Sequence, residues 1–253
     1  MKSSVHFSRP AKLAAAAVVA VFAASQGASA CEKPQVKGYD HVGCLKAGVA
    51  NALKEGEWTY VNSAGQRIVD TDSYEFVGVF HEGLARVYDG ERYGYIDKTG
   101  KLVIPLQYDA AYDFSEGLAR VYKDDKVSFI DKTGKVVISL KYSAAYDFSE
   151  GLAVVSDGEE YAEKYGFIDK TGKTVVPLKY DAADDFHEGL AAVMIGDKAG
   201  FIDKTGKVAI PFRYNGWDVY YEPAHRFQEG LAAVSVTKGD KWKYGFIDKS
   251  GKT

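Results

Sequence analysis

Tyr93-Gly94-Tyr95-Ile96-Asp97-Lys98-Thr99-Gly100-Lys101-Leu102-Val103-Ile104-Pro105 is the stretch that decides the fold. Aromatic and β-branched residues fill both flanks, which suits a pleated, half-buried surface. Between them, Asp97-Lys98-Thr99-Gly100 has the chemistry of a type I turn closed by a glycine bulge. An Asp at the first position accepts nearby backbone N–H groups, and a Gly at the last takes the left-handed conformation. The stretch therefore predicts a β-hairpin. Gly94, inside the first strand, marks close approach by another group, and Pro105 is expected to end the second strand by removing a backbone donor.

The hairpin recurs. Ile-Asp-Lys-Thr/Ser-Gly-Lys starts at Ile96, Ile130, Ile168, Ile202 and Ile247, with a weaker copy at Trp58 to Gly65. A second marker, Glu-Gly-Leu-Ala, starts at Glu82, Glu116, Glu150, Glu188 and Glu229, and an aromatic lies two residues before each: Phe80, Phe114, Phe148, Phe186 and Phe227. The interval begins at 34 residues (82 to 116) and lengthens to 41 (188 to 229). A third marker, an apolar run and then Tyr-Asp-Ala-Ala or a relative, follows each hairpin. Repetition at such a period signals a tandem array.

Leu84 to Tyr88 alternates as a strand does, so each unit is expected to hold about three short strands. The glutamates that open Glu-Gly-Leu-Ala occupy one column. Three strands per unit would separate them by roughly 14 Å, beyond a Debye length of about 8 Å. The expected fold class is an all-β tandem repeat array, open and curved rather than closed as a propeller, with a short N-terminal helical cap. That helix is expected within Gly43 to Glu55, from Leu45, Val49, Ala50 and Leu53. The first copy lacks a Glu-Gly-Leu-Ala strand before Trp58, and the last stops before its third strand.

The organisation ahead of the repeats is read from the N-terminus. Lys2, Arg9 and Lys12 precede the apolar run Leu13 to Ala24, and Ala28-Ser29-Ala30 is an A-x-A site. Residues 1–30 are thus expected to be a secretory signal peptide, 31–56 a cap segment, and 57–253 the repeats. Losing three positive charges would take the net charge from −3 to −6. Periplasmic or extracellular localisation follows. Two cysteines, Cys31 and Cys44, suit one disulfide in an oxidising compartment. The alternatives are lipid attachment at Cys31, where Ala28 stands in place of the usual lipobox Leu, and free thiols.

The repeat resembles the WG (KWG) family of bacterial β-repeat proteins, whose pattern is Trp-Gly-Phe-Ile-Asp-x-x-Gly-Lys before an apolar strand. The copies here include Tyr165-Gly166-Phe167-Ile168 and Tyr244-Gly245-Phe246-Ile247. The resemblance spans about residues 57 to 253. It implies a β-rich repeat scaffold and no particular reaction. The eponymous Trp survives only at Trp58, which argues for packing rather than a binding ladder.

No catalytic constellation is expected. Serines lack a Gly-x-Ser-x-Gly setting and glycines lack a phosphate-loop spacing. The recurrent acids Asp109, Asp113, Asp147, Asp181, Asp184 and Asp185 suit turns and solubility better than calcium or glycoside chemistry. No cofactor or metal is expected. A mildly acidic chain without a basic stripe is not built to hold nucleic acid, and no later segment reads as membrane-spanning. The expected function is non-enzymatic: a binding or scaffold protein of the bacterial envelope that engages a protein or peptide. The alternative is an envelope glycan bound by Trp217, Tyr220, Tyr221 and Trp242, which sit around an irregular break in the repeats.

Overall fold

A computed structural model describes residues 31–253 apart from 35, 47, 70–72, 159–161, 217–224 and 239–240. The expected signal peptide lies outside the described residues. The fold is all-β and built from six small antiparallel sheets. Sheet I holds β1 (His41–Val42), β2 (Val49–Lys54) and β3 (Glu57–Asn62). Sheet II holds β4 (Phe76–Val77), β5 (Leu84–Tyr88), β6 (Tyr93–Asp97) and β7 (Leu102–Tyr108). Sheet III holds β8 (Ala110–Ala111), β9 (Leu118–Lys123), β10 (Lys126–Asp131) and β11 (Val136–Ser139). Sheet IV holds β12 (Ala144–Ala145), β13 (Leu152–Asp157), β14 (Lys164–Asp169) and β15 (Thr174–Tyr180). Sheet V holds β16 (Ala182–Ala183), β17 (Leu190–Ile195), β18 (Lys198–Asp203) and β19 (Val208–Asn215), and sheet VI holds β20 (Leu231–Lys238) and β21 (Lys241–Asp248). In every sheet the strands pair in chain order. Among the described strands none pairs sheet I with sheet VI.

The Asp-Lys-Thr-Gly hairpin forms as its chemistry requires. The Asp97 carboxylate accepts hydrogen bonds from Thr99 N at 2.8 Å, Thr99 Oγ1 at 2.6 Å and Lys101 N at 3.2 Å. Gly100 sits at φ 84°. The same contacts recur at Asp131, Asp169, Asp203 and Asp248.

Four expectations are corrected. Complete units have four strands rather than about three, because the Ala-Ala of Tyr-Asp-Ala-Ala forms a two-residue strand: Ala110 and Ala111 pair with Tyr122 and Val121. Among the described residues no helical cap forms. Residues 49–54 are β2, paired to β3 through a two-residue turn in which Glu55 and Gly56 both have positive φ, 52° and 85°. That turn chemistry, together with burial of Val49, Ala50 and Ala52, outweighs the four-residue spacing of Leu45, Val49 and Leu53. β2 also supplies the strand that the first copy was expected to lack. Finally, Pro105 does not end β7. It lies at a register shift opposite Gly94, where the ladder skips and no donor is needed.

Five core clusters lie between consecutive sheets, and a sixth packs sheet I against Val36, Tyr39 and Leu45 ahead of it. The Phe-Ile pair of the repeat explains this, since neighbouring residues on a strand point to opposite faces. Phe129 packs in one cluster with Phe148, Ala153 and Ile168 of sheet IV. Ile130 packs with Leu84, Tyr95 and Ile104 of sheet II. The aromatic on each second long strand meets the next unit's Phe: Tyr60–Phe80, Tyr95–Phe114, Phe129–Phe148, Phe167–Phe186 and Phe201–Phe227, with centroids 4.8 to 5.2 Å apart. Such pairs add about 1 kcal/mol beyond burial.

Candidate binding surface

Two columns of polar side chains join the units. The first starts from a strained turn. Glu82-Gly83 is a two-residue hairpin loop with both φ positive, 50° and 95°, closed by His81 N to Leu84 O at 2.9 Å and the reverse bond at 3.0 Å. Positive φ is costly for Glu, and its position is explained by what the carboxylate reaches. Glu82 accepts Gly117 N–H of the next turn at 3.0 Å and pairs with Lys132 at 3.0 Å. The arrangement repeats as Glu116 with Gly151 and Lys170, Glu150 with Gly189 and Lys204, and Glu188 with Gly230 and Lys249. Burial pushes the Glu150 carboxyl up, but Lys204 and the Gly189 N–H outweigh it and hold the group below its ordinary value.

The second column follows the two-residue strands. Arg86 pairs with Asp113 at 3.3 Å and Arg120 with Asp147 at 3.4 Å. Arg120 also stacks on Tyr112, with its guanidinium 3.5 Å from the ring centroid. In sheet V the pattern shifts: Arg226 clamps Asp184 with two bonds, 2.8 and 2.7 Å. Val154 stands at the position that Arg86 and Arg120 hold in their own units. Burial, and then the neighbouring Asp184 charge, push the Asp185 carboxyl up to about 6. Asp109 and Asp181 instead accept backbone N–H groups of hairpin turns, from Asp124 at 2.8 Å and Gly196 at 2.7 Å. Among the described residues, no cluster of three or more His, Cys, Asp or Glu is arranged to hold a metal.

The third feature is β21. Trp242, Tyr244 and Phe246 alternate along it and share one face. They are 58%, 81% and 65% exposed, whereas Phe201 and Phe167, in the position of Phe246, are fully buried. Among the described strands β21 pairs only with β20, and no next-unit Phe meets Phe246 among the described residues. Trp242 stacks on Tyr244 at 6.4 Å and 25°. A shallow apolar cleft beside them is lined by His225, Val234, Ser235, Tyr244, Gly245 and Phe246.

Of the aromatics expected to bind, Trp242 is therefore on an exposed face, while Trp217, Tyr220 and Tyr221 lie outside the described residues. Sequence reasoning did not single out Tyr244 as a binder and missed Phe246. The available signal was that Phe246 belongs to a copy with no later Phe-x-Glu-Gly. Cys31 and Cys44 are both disulfide-bonded. Among the described residues no helix is long and apolar enough to cross a membrane.

No curated protein matches the chain. Among solved structures, Hsv2 from Kluyvelomyces marxianus is similar with a TM-score of 0.50 at 14% identity, over 80% of this chain and 69% of that one. Hsv2 from Kluyveromyces lactis gives 0.46 at 14% identity, over 80% and 71%. TolB from Acinetobacter baumannii gives 0.39 at 11%, over 80% and 58%. At such identities the likeness concerns the fold alone. The WG containing repeat matches five times in tandem, at residues 58–92, 93–126, 128–161, 165–198 and 200–242. With the repeated sheets above, this places the chain in the WG containing repeat family.

Proposed function

We propose that this chain is a non-enzymatic scaffold of the bacterial cell envelope that binds a protein or peptide on the β21 face of its open, curved array. The observation that carries the reading is the exposed row Trp242, Tyr244 and Phe246. Large aromatics dominate interface energetics, and a contiguous apolar row on a soluble chain signals recognition. Export rests on the charged and apolar N-terminal run with its A-x-A site, and disulfide-bonded Cys31 and Cys44 are compatible with an oxidising compartment. In this reading the two polar columns hold the units in register and leave the chemistry of recognition to sheet VI.

The test places a photocrosslinking residue at Tyr244 and exposes the purified protein to envelope extract. The expected result is a specific adduct that is lost in Trp242→Ala/Phe246→Ala. Absence of any specific adduct, or one unaffected by those changes, overturns the reading. The second reading is a glycan, favoured by the near-parallel rings of Trp242 and Tyr244, with Trp217, Tyr220 and Tyr221 as further contacts. Glycan-array binding abolished by Trp242→Ala would establish it.

A further inference from the structure

We propose that the outer edge of sheet III, formed by β11, docks an extended strand from another polypeptide, and that this strand carries acidic residues at both ends. The site is separate from the β21 face. It belongs to an interior unit, whose sheet packs against sheet II on one side and sheet IV on the other.

Sheet III departs from its sisters at two facing positions. Sheets II, IV and V carry a glycine column on the second long strand, Gly94, Gly166 and Gly200, and Pro105, Pro177 and Pro211 on the third. A Cβ on those glycines would lie 2.6, 2.5 or 2.8 Å from the carbonyl oxygen of Ile104, Val176 or Ile210, so only Gly allows the approach. In each case the ladder skips at the glycine, and the third strand bulges around its proline. In sheet III both positions are serine. Ser128 lies opposite Ser139 and Phe129 opposite Ile138, with no skip between them. β11 is therefore regular where its sisters bulge.

The same exchange changes what the edge offers. Leu140 N donates to Val127 O at 3.2 Å. In an alternating antiparallel ladder Leu140 and Ile138 thus turn their backbone groups toward β10, and Val137 and Ser139 turn theirs away from it. The sister sheets have proline in the place of Ser139, with no N–H to offer. Proline and bulges keep a sheet edge from pairing with another chain, and sheet III has neither at this place. Among the described residues no strand pairs with the edge. Val136 and Val137 are 49% and 47% exposed, whereas Val103 and Val175, in the place of Val137, pack against the cores of their sheets.

Charge selects the occupant. Lys135 and Lys141 stand exposed at the two ends of β11. Two copies paired with Val137 opposite Ser139 would set Lys135 of each against Lys141 of the other, and like charges directly opposite are destabilising. A segment of a different polypeptide, with β-branched residues between two acidic ends, meets the same edge favourably. Strand addition gains affinity from main-chain hydrogen bonds and specificity from alternate side chains.

The experiment titrates the purified protein into a fluorescein-labelled peptide, Glu-Thr-Val-Thr-Val-Thr-Glu, and reads anisotropy. Saturable binding is expected, about tenfold or more weaker for the same peptide with Lys in place of both Glu. Ser128→Gly/Ser139→Pro gives sheet III the pair that the chain already folds in three other sheets, and should weaken binding about tenfold or more at an unchanged melting temperature. If that variant melts lower, amide exchange in the parent decides, since bound peptide must slow the Ser139 N–H about tenfold or more. Trp242→Ala/Phe246→Ala should leave peptide binding unchanged, which separates this site from the β21 reading. No saturable binding overturns the proposal, as does equal binding of the Lys-ended peptide or an unprotected Ser139 N–H. Self-association of the parent that is lost in Ser128→Gly/Ser139→Pro would assign the edge to a second copy and overturn it as well.

Discussion

The Glu150 carboxylate of one unit accepts the backbone N–H of Gly189 in the next at 2.9 Å. Glu150 does this from a left-handed turn position, φ 52°, where Asn would be the easier residue. The strain is offset by the clasp, since the same carboxylate pairs with Lys204 at 3.0 Å. Glu229 has the same strain, φ 54°, but no hydrogen bond or ion pair to its carboxylate among the described residues. The two positions should therefore respond oppositely to Asn. Glu150→Asn is expected to destabilise by about 1 kcal/mol, a modest figure because the ion pair is partly exposed. Glu229→Asn is expected to stabilise by about 0.5 kcal/mol. Denaturant unfolding of both variants checks this, and the same sign at both sites would refute it.

What the sequence disclosed follows from how local each feature is. The Asp97 to Gly100 turn is legible because the carboxylate and its donors lie within four residues. The Gly94 close approach is legible because a bare backbone inside an aromatic strand has few other causes. The Ala110-Ala111 strand is not, because two alanines carry no strand preference and their pairing to Tyr122 and Val121 is tertiary. The Glu and Lys columns are both visible as repeats, and spacing alone predicted weak repulsion among the glutamates. Their pairing across consecutive units depends on how sheets stack. At the candidate surface, Trp242 is conspicuous in sequence as a rare residue near an irregular segment. Phe246 looks like every other core Phe of the repeat in sequence, and its exposure emerges only from the structure.

The glycine column yields a second contrast. Alanine at Gly166 would place its Cβ 2.5 Å from the Val176 carbonyl oxygen, and backbone cannot yield as a flexible side chain can. Gly166→Ala is expected to cost about 2 to 4 kcal/mol. Gly245→Ala meets nothing and should stay within about 0.5 kcal/mol of the parent. Thermal melts of the two variants, side by side, decide the matter.

Asp185 sets a pH dependence whose sign is defined. Its folded carboxyl is pushed up to about 6 from an ordinary 3.8, first by burial and then by Asp184. The folded state therefore binds this proton more tightly than the unfolded one. Its contribution to stability is full below about pH 4 and is lost as pH rises through about 6. The shift, which already includes the opposing pull of Arg226 3.7 Å away, corresponds to on the order of 3 kcal/mol. Asp185→Asn should be more stable than the parent at pH 7.5 by about 1 to 3 kcal/mol, and the advantage should vanish by about pH 4. A difference that does not change with pH would contradict the assignment.

Phe201 and Phe246 hold the same place in consecutive units but sit in different environments. Phe201 is fully buried, with its ring 5.1 Å from Phe227, whereas Phe246 is 65% exposed. Truncating a packed Phe removes its burial and leaves a cavity, so Phe201→Ala is expected to cost about 3 to 5 kcal/mol. Phe246→Ala removes a ring that touches mostly solvent and should cost less than about 1 kcal/mol. The binding role proposed for β21 predicts the reverse order in a second measurement. Capture of an envelope partner should fall sharply with Phe246→Ala at undiminished stability. A Phe246→Ala protein that unfolds as readily as Phe201→Ala would mean that the ring is structural, and β21 would then lose its standing as a recognition surface.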